Sequence, residues 1–473
     1  MIFSGIPFLF YFLAITMLAY FAVPKCAKNT VLLIASLVFY GCGEPKFLIL
    51  MSISILVGYA SGIFIGKFKT ADGKNTSASK AVAVISIVIL GGFLAYFKYA
   101  DFFIENFNAL TGLGLPLLRV TLPIGISFYT FQILSYTVDV YRGTVKTQRN
   151  LIDFATFVTM FPQLIAGPIV RYIDVEKELH DRTCTVDKAF MGVRRFIVGL
   201  SKKVLLANAA AELCDIFRAS DEKSVLFYWM YAICFSLYVY FDFSGFSDMA
   251  IGIGHILGFN FPENFNYPYL SKSITEFWRR WHMTLGGWFR DYIYIPMGGN
   301  RVNPARWVLN IAVVWMFTGL MHGEAWNFVI WGIVFAVLLL AEKLFILKIL
   351  KKIPSFLSHI YVMFLILISF IIFNADTMSL AFSDICGLFG FSQGERLPLI
   401  STPTLYYLRS YAGIIIIGII GCTPFPAKCA KWLREKCCNF SAVCEPVVML
   451  VLLLVSTAFL VDGSFNPFLY FRF

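Results

Sequence analysis

Residues 307–322 read WVLNIAVVWMFTGLMH, a run with no charged side chain before it closes on His322. As a helix rising about 1.5 Å per residue it would extend roughly 24 Å, short of the roughly 30 Å apolar thickness of a bilayer. His322 is therefore expected at membrane depth. An ionisable side chain there is costly and usually faces a cavity. The alternative is a packing role, with the imidazole hydrogen-bonded between helices.

The rest of the chain extends this reading. Of 473 residues, 59% are hydrophobic and 14% charged, where soluble domains carry about 25% charged residues. Length alone would suggest roughly three soluble domains, but apolar runs continue through almost every segment, so residues 1–473 read as a single membrane-embedded domain. Candidate spans include 6–23, 47–66, 81–100, 122–140, 154–170, 192–217, 225–243, 326–340, 360–373, 406–421 and 447–461. The first has no basic stretch before it and no small-residue cleavage site after it, so it reads as a retained span rather than a signal peptide.

The net charge of +11 fits basic loops on the cytoplasmic side better than a nucleic-acid partner. Lysines and arginines cluster at 25–28, 67–80, 142–149, 171–203, 272–306, 343–352 and 428–436, which puts the N-terminus and the C-terminal tail, 464–473, outside. Eleven cysteines form no CxxC pair and no zinc-type spacing with histidine, so no metal is expected. No internal repeat of the transporter type is present.

Two segments break the pattern of simple spans. Residues 161–168, FPQLIAGP, interrupt an apolar run with Pro and Gly, as a re-entrant turn would. Residues 272–306 mix Trp, Arg, His and Tyr, as expected of an amphipathic helix at the cytoplasmic interface. Within them, 277–292 read FWRRWHMTLGGWFRDY. Helical spacing puts Trp278, Trp281 and His282 on one face, with Arg279 and Arg290 projecting elsewhere. The pattern suits an interfacial anchor; it also suits anion recognition, because arginine offers forked donors to phosphate. His180, His255 and His359 lie at loops or helix ends and carry no comparable signal.

Four stretches together resemble the bacterial membrane-bound O-acyltransferases, specifically the alginate O-acetylation branch, with a relation to the teichoic acid D-alanyl transfer protein. They are YPYLSKSITEFWRRWH at 267–282, FRDYIYIPMGGNR at 289–301, TGLMHG at 318–323 and AGPIVR at 166–171. Met321 departs from the tryptophan common before the histidine, which bears on the shape of the pocket. The resemblance implies an all-α polytopic ring of about eleven transmembrane helices, with re-entrant and interfacial helices around a central tunnel. It implies a bacterial inner-membrane enzyme that takes acetyl from cytoplasmic acetyl-CoA. His322 would be catalytic and His282 part of the channel, with Arg279, Arg280, Trp281 and Arg290 near the donor's phosphates.

The chain closes on NPFLYFRF at 466–473. Tyr470 among phenylalanines suits an interfacial anchor. The pattern also resembles the C-terminal motif of the small partner in teichoic acid D-alanylation, which makes Tyr470 a candidate acyl carrier: a phenol's pKa near 10 leaves its ester reactive. Final transfer to a polysaccharide then needs an extracytoplasmic partner with a serine-esterase-like site. D-alanyl transfer, a transporter or flippase using histidines as a proton relay, and a structural scaffold are the competing readings.

Overall fold

The computed structural model describes residues 3–165, 167–392 and 395–462. The protein is built almost wholly from helices. One antiparallel pair, β1 (Phe391–Ser392) and β2 (Glu395–Arg396), is its sheet among the described residues. Seven helices there are long and apolar enough to cross a membrane: Pro45–Phe68, Ser77–Thr111, Val225–Leu257, Pro304–His322, Ser355–Asn374, Thr402–Gly421 and Cys438–Val461. Pro7–Ala22 and Met378–Leu388 are shorter apolar helices. Two helices counted toward the expected eleven fall short in length: α5 (Ile126–Arg142) has 17 residues and α15 (Trp326–Ala341) has 16.

Internal contacts divide the chain into two compact units, one comprising 1–196 with 249–262 and the other 197–248 with 263–473. The first holds α1 (Leu13–Ala22), α2 (Lys28–Gly41), α3 (Leu48–Phe68), α4 (Ser77–Thr111), α5, α6 (Leu151–Thr159), α7 (Phe161–Leu164), α8 (Tyr172–His180) and most of α9 (Val186–Ser201). Helix α3 packs on both α4 and α5. Its glycines recur every fourth residue, and a Cβ at Gly58 would collide with Ile133 and one at Gly62 with the Tyr136 ring. Small residues at this spacing let the α5 side chains rest on the α3 backbone. The candidate span at 154–170 is broken, as the Pro and Gly of 161–168 suggested: α6 stops at Thr159 and only one further turn, α7, follows. Ala166 lies outside the described residues.

The second unit contains α10 (Asn208–Ala219), most of α11 (Val225–Leu257), α12 (Ile274–Arg280), α13 (Met283–Phe289), α14 (Pro304–His322), α15, α16 (Leu347–Leu350), α17 (Ser355–Asn374), α18 (Met378–Leu388), α19 (Thr402–Gly421), α20 (Phe425–Lys436) and α21 (Cys438–Val461). Its core is aromatic; Phe217 stacks on Tyr231 with centroids 4.4 Å apart. A π-helical stretch, Lys202–Ala207, leads into α10. Where α9 passes into it the chain approaches α11 so closely that a Cβ at Gly245 would sit 2.7 Å from the Gly199 carbonyl and 3.2 Å from the Lys203 backbone nitrogen.

Lys203 belongs to the basic stretch read from sequence as a cytoplasmic loop. In the structure it lies in a helical stretch and is buried. Its ammonium lies 2.6 Å from the Asp242 carboxylate, and both side chains are only 1% exposed. Beside it Lys202 reaches Asp248 at 2.7 Å. Removing one member of a buried pair strands the other charge, which typically costs about 3–5 kcal/mol, whereas replacing both by apolar groups is close to neutral. Lys203→Met should therefore lower the thermal unfolding midpoint in detergent sharply, and Lys203→Met with Asp242→Leu should recover most of the loss.

Candidate active site

His322 is the last residue of α14. Helix α14 runs back against α15, and the two backbones meet at glycines: a Cβ at Gly319 would collide with the Phe328 carbonyl, and one at Gly332 with the Trp315 carbonyl. The space beside Gly323 is filled by the Phe328 ring. This packing seats the imidazole edge-on to Trp331 and Phe373, at centroid distances of 5.3 and 5.4 Å. Asn327, in the first turn of α15, donates to the Phe373 and Ala375 carbonyls and so ties the end of α17 to the same place. His322 is 5% exposed.

His282 is reached differently from the sequence expectation. The segment 272–306 is not one helix. Helix α12 ends at Arg280, Trp281 is extended, and His282 takes the left-handed conformation, φ +44°, as the residue that opens α13. Trp278, Trp281 and His282 therefore do not form one helical face. Outside glycine this backbone region is unfavourable, and it persists where its surroundings over-determine it. Here a loop strand holds the turn: Asn266 N–H donates to the Arg280 carbonyl and Met283 N–H to the Asn264 carbonyl, both at 2.9 Å.

The start of α12 is fixed from a distance. Glu342, fully buried, accepts from Ile274 N–H at 2.6 Å and from Thr275 N–H and Oγ1 at 2.8 Å each. A carboxylate there satisfies helix N–H groups that have no partner of their own and complements the positive end of the helix.

His282 is 2% exposed, packs edge-on to Phe243 at 4.7 Å, and places Nδ1 2.9 Å from Asn264 Oδ1. Its Nε2 is buried and makes no hydrogen bond among the described residues. Burial first, and then the His322 imidazole, push the His282 pKa well below the ordinary histidine value. His322 stands forty positions further along the chain. Trp331, beside His322, and Trp278, which packs on Trp331 at 5.6 Å, each carry a buried indole N–H with no acceptor among the described residues. A neutral imidazole beside unused donors can take a proton from a hydroxyl while a carbonyl oxygen gathers negative charge.

The remaining sequence candidates scatter. Trp281 is sealed in the core, stacked on Phe277 at 5.5 Å and beside Phe370. Arg280 pairs with Glu276 at 2.8 Å and Arg290 with Asp291 at 2.7 Å. Arg279 is exposed and close enough to Lys343 to help lower that lysine's pKa, after burial. Tyr470 and the tail 464–473 lie outside the described residues. Among those described, no group of three or more His, Cys, Asp or Glu side chains could hold a metal ion. Sequence reasoning missed Asn264, Glu342, Trp278 as a donor and Trp331. Glu342→Ala should unpair the α12 N–H groups, at a cost of about 1–3 kcal/mol each for those left unsatisfied, and should lower the thermal midpoint; Glu342→Asp is expected to lose less.

The membrane-bound O-acyltransferase family profile matches residues 141–381. The probable alginate O-acetylase of Azotobacter vinelandii is 36% identical, over 100% of both chains. The peptidoglycan O-acetyltransferase of Helicobacter pylori is 29% identical, over 100% of this chain and 98% of its own. The teichoic acid D-alanyltransferase of Bacillus subtilis is 30% identical over 47% of this chain and 59% of its own. The chain belongs to the membrane-bound O-acyltransferase family and is a polytopic helical acyltransferase of the membrane.

Proposed function

We propose that this protein is the membrane O-acetyltransferase of a system that modifies a cell-envelope or exopolysaccharide in the bacterial inner membrane. Acetyl-CoA is the cytoplasmic donor in this reading. The observation that carries it is the pair of buried imidazoles, His322 and His282, each seated against aromatic rings, in a chain of an O-acyltransferase family.

In the proposed reaction the Tyr470 phenol attacks the thioester carbonyl while His322 takes the phenolic proton. The tetrahedral intermediate places negative charge on the carbonyl oxygen, where a buried donor such as the Trp331 indole N–H can stabilise it. The C–S bond then breaks, and the leaving thiolate takes the proton from the His322 imidazolium. The products are free CoA and an acetyl-tyrosine aryl ester. A serine on an extracytoplasmic partner attacks this ester and passes acetyl to the polymer. Arg279, Arg280 and Arg290 draw the donor's phosphates, and Trp281, within the core, supports the turn that carries His282.

Acetyl is favoured over D-alanyl because relatives matching along 100% of this chain are named for O-acetyl transfer, while the D-alanyltransferases match 47% and 62% of it. A flippase with a histidine proton relay would move substrate without forming a covalent acyl species. Mass spectrometry of the purified protein after incubation with acetyl-CoA separates these readings. An acetyl adduct on the C-terminal peptide, absent in His322→Ala and in Tyr470→Phe, is expected. Thioester cleavage that persists in Tyr470→Phe with no adduct in the wild type would remove the tyrosine relay. No cleavage or transfer under any condition would remove the acetyl reading.

A further inference from the structure

We infer that Asn264 is a positioning residue that fixes His282 as the neutral Nδ1–H tautomer and so presents Nε2 to the site as its lone-pair acceptor. The inference rests on the proposed reading of His282 as part of the acyl-transfer site.

The orientation of the Asn264 amide follows from its neighbours. Thr284 places its backbone N–H 3.4 Å and its Oγ1 2.9 Å from one amide atom, while the other faces Ser247 Oγ at 3.2 Å. A backbone N–H can only donate, so the atom facing Thr284 is the carbonyl oxygen, Oδ1. His282 Nδ1 lies 2.9 Å from that same oxygen. An amide oxygen can only accept, so Nδ1 must carry the hydrogen. The main chain enforces the geometry a second time, through the bond from Met283 N–H to the Asn264 carbonyl at 2.9 Å. Side chain and backbone of one residue therefore hold both the ring orientation and the left-handed turn at His282.

With Nδ1–H engaged and the ring neutral, the lone pair resides on Nε2, which is buried and makes no hydrogen bond among the described residues. The groups placed against the ring are Phe243 of α11, Asn264 of the loop and, through the amide, Thr284 of α13; none of them titrates near neutrality. His322 of α14 is the titratable group that acts on it. Once His322 holds the transferred proton, its charge makes a second proton on His282 still less favourable. The pair then carries one proton at a time. An amide at position 264, rather than a carboxylate, keeps His282 a weak base. Through Nε2 it accepts a hydrogen bond from the bound substrate and leaves the phenolic proton to His322.

The test uses the full chain in detergent, labelled with 15N-histidine, with the His282 signals assigned by their loss in His282→Gln. An unprotonated Nε2 and a protonated Nδ1 are expected; the opposite tautomer would overturn the inference. Kinetics with acetyl-CoA supply the second arm. Asn264→Leu should lower kcat about 10–100-fold with KM for acetyl-CoA little changed. Asn264→Asp still accepts from Nδ1–H but adds a negative charge that favours the imidazolium, so it raises the His282 pKa. Because the neutral ring is the working form, activity falls as pH drops through that pKa. The acid limb of kcat should therefore move to higher pH in Asn264→Asp, with activity recovered at alkaline pH. Equal losses in both variants, with the limb unmoved and stability reduced, would make Asn264 purely structural and sink the inference. If His282→Gln keeps wild-type kcat while the tautomer is as described, the reading of His282 as a site residue fails instead. The labelled wild-type spectrum decides the tautomer even if a variant does not fold.

Discussion

The contact on which the site depends is the glycine-to-backbone packing of α14 against α15 at Gly319 and Gly332. Two helices can approach this closely only where neither carries a side chain. The approach brings Trp331 and Phe373 around the end of α14 and encloses His322 in aromatic edges. Without it, the imidazole at the end of an apolar helix would lose that enclosure, and an ionisable side chain is costly in apolar surroundings. A side chain at either glycine would push the helices apart and loosen the seat of His322 before it touched the imidazole itself.

The second imidazole is supplied by irregular backbone, which in an apolar protein must have its hydrogen bonds satisfied internally. Asn264 and Asn266 pair with the main chain around His282, and Glu342 takes the open N–H groups of α12. These polar groups are few and directed at one short segment, and Asn264 and Glu342 are buried. Their arrangement lets a left-handed histidine persist between two one-to-two-turn helices. Elsewhere in this unit the Lys203–Asp242 pair answers the same demand, joining a π-helical stretch to α11 where a charge would otherwise have no counterpart.

The parts of the fold that follow from one-dimensional pattern were legible in the chain. The apolar run 307–322 announced a helix that closes on His322, and α14 does end at that residue; it begins earlier than the run, at Pro304, and with 19 residues is long enough to cross a membrane, so the expected shortfall in length is corrected. The Pro and Gly in 161–168 announced the break that follows α6. What pattern could not show was pairing across distance. Spacing rules put Trp278, Trp281 and His282 on one helical face, because no local signal marks a non-glycine residue for the left-handed region. Asn264 sits in PENFNYP, which reads as a loop between prolines, and nothing in that string points to an imidazole eighteen positions on. Lys203 read as the end of a basic stretch and Glu342 carried no signal of its own; their burial depends on partners 39 and 68 positions away.

The central claim is that His322 and His282 act as one unit on the acyl group. It is tested most directly by single-turnover thioester cleavage of acetyl-CoA by the wild type, His322→Ala, His282→Ala and the double variant. Residues that serve one transition state give strongly non-additive losses. Each single substitution should slow cleavage by about 100-fold or more, and the double variant should be no slower than the worse single one. Losses that multiply, or a His282→Ala enzyme that cleaves at the wild-type rate, would contradict the claim.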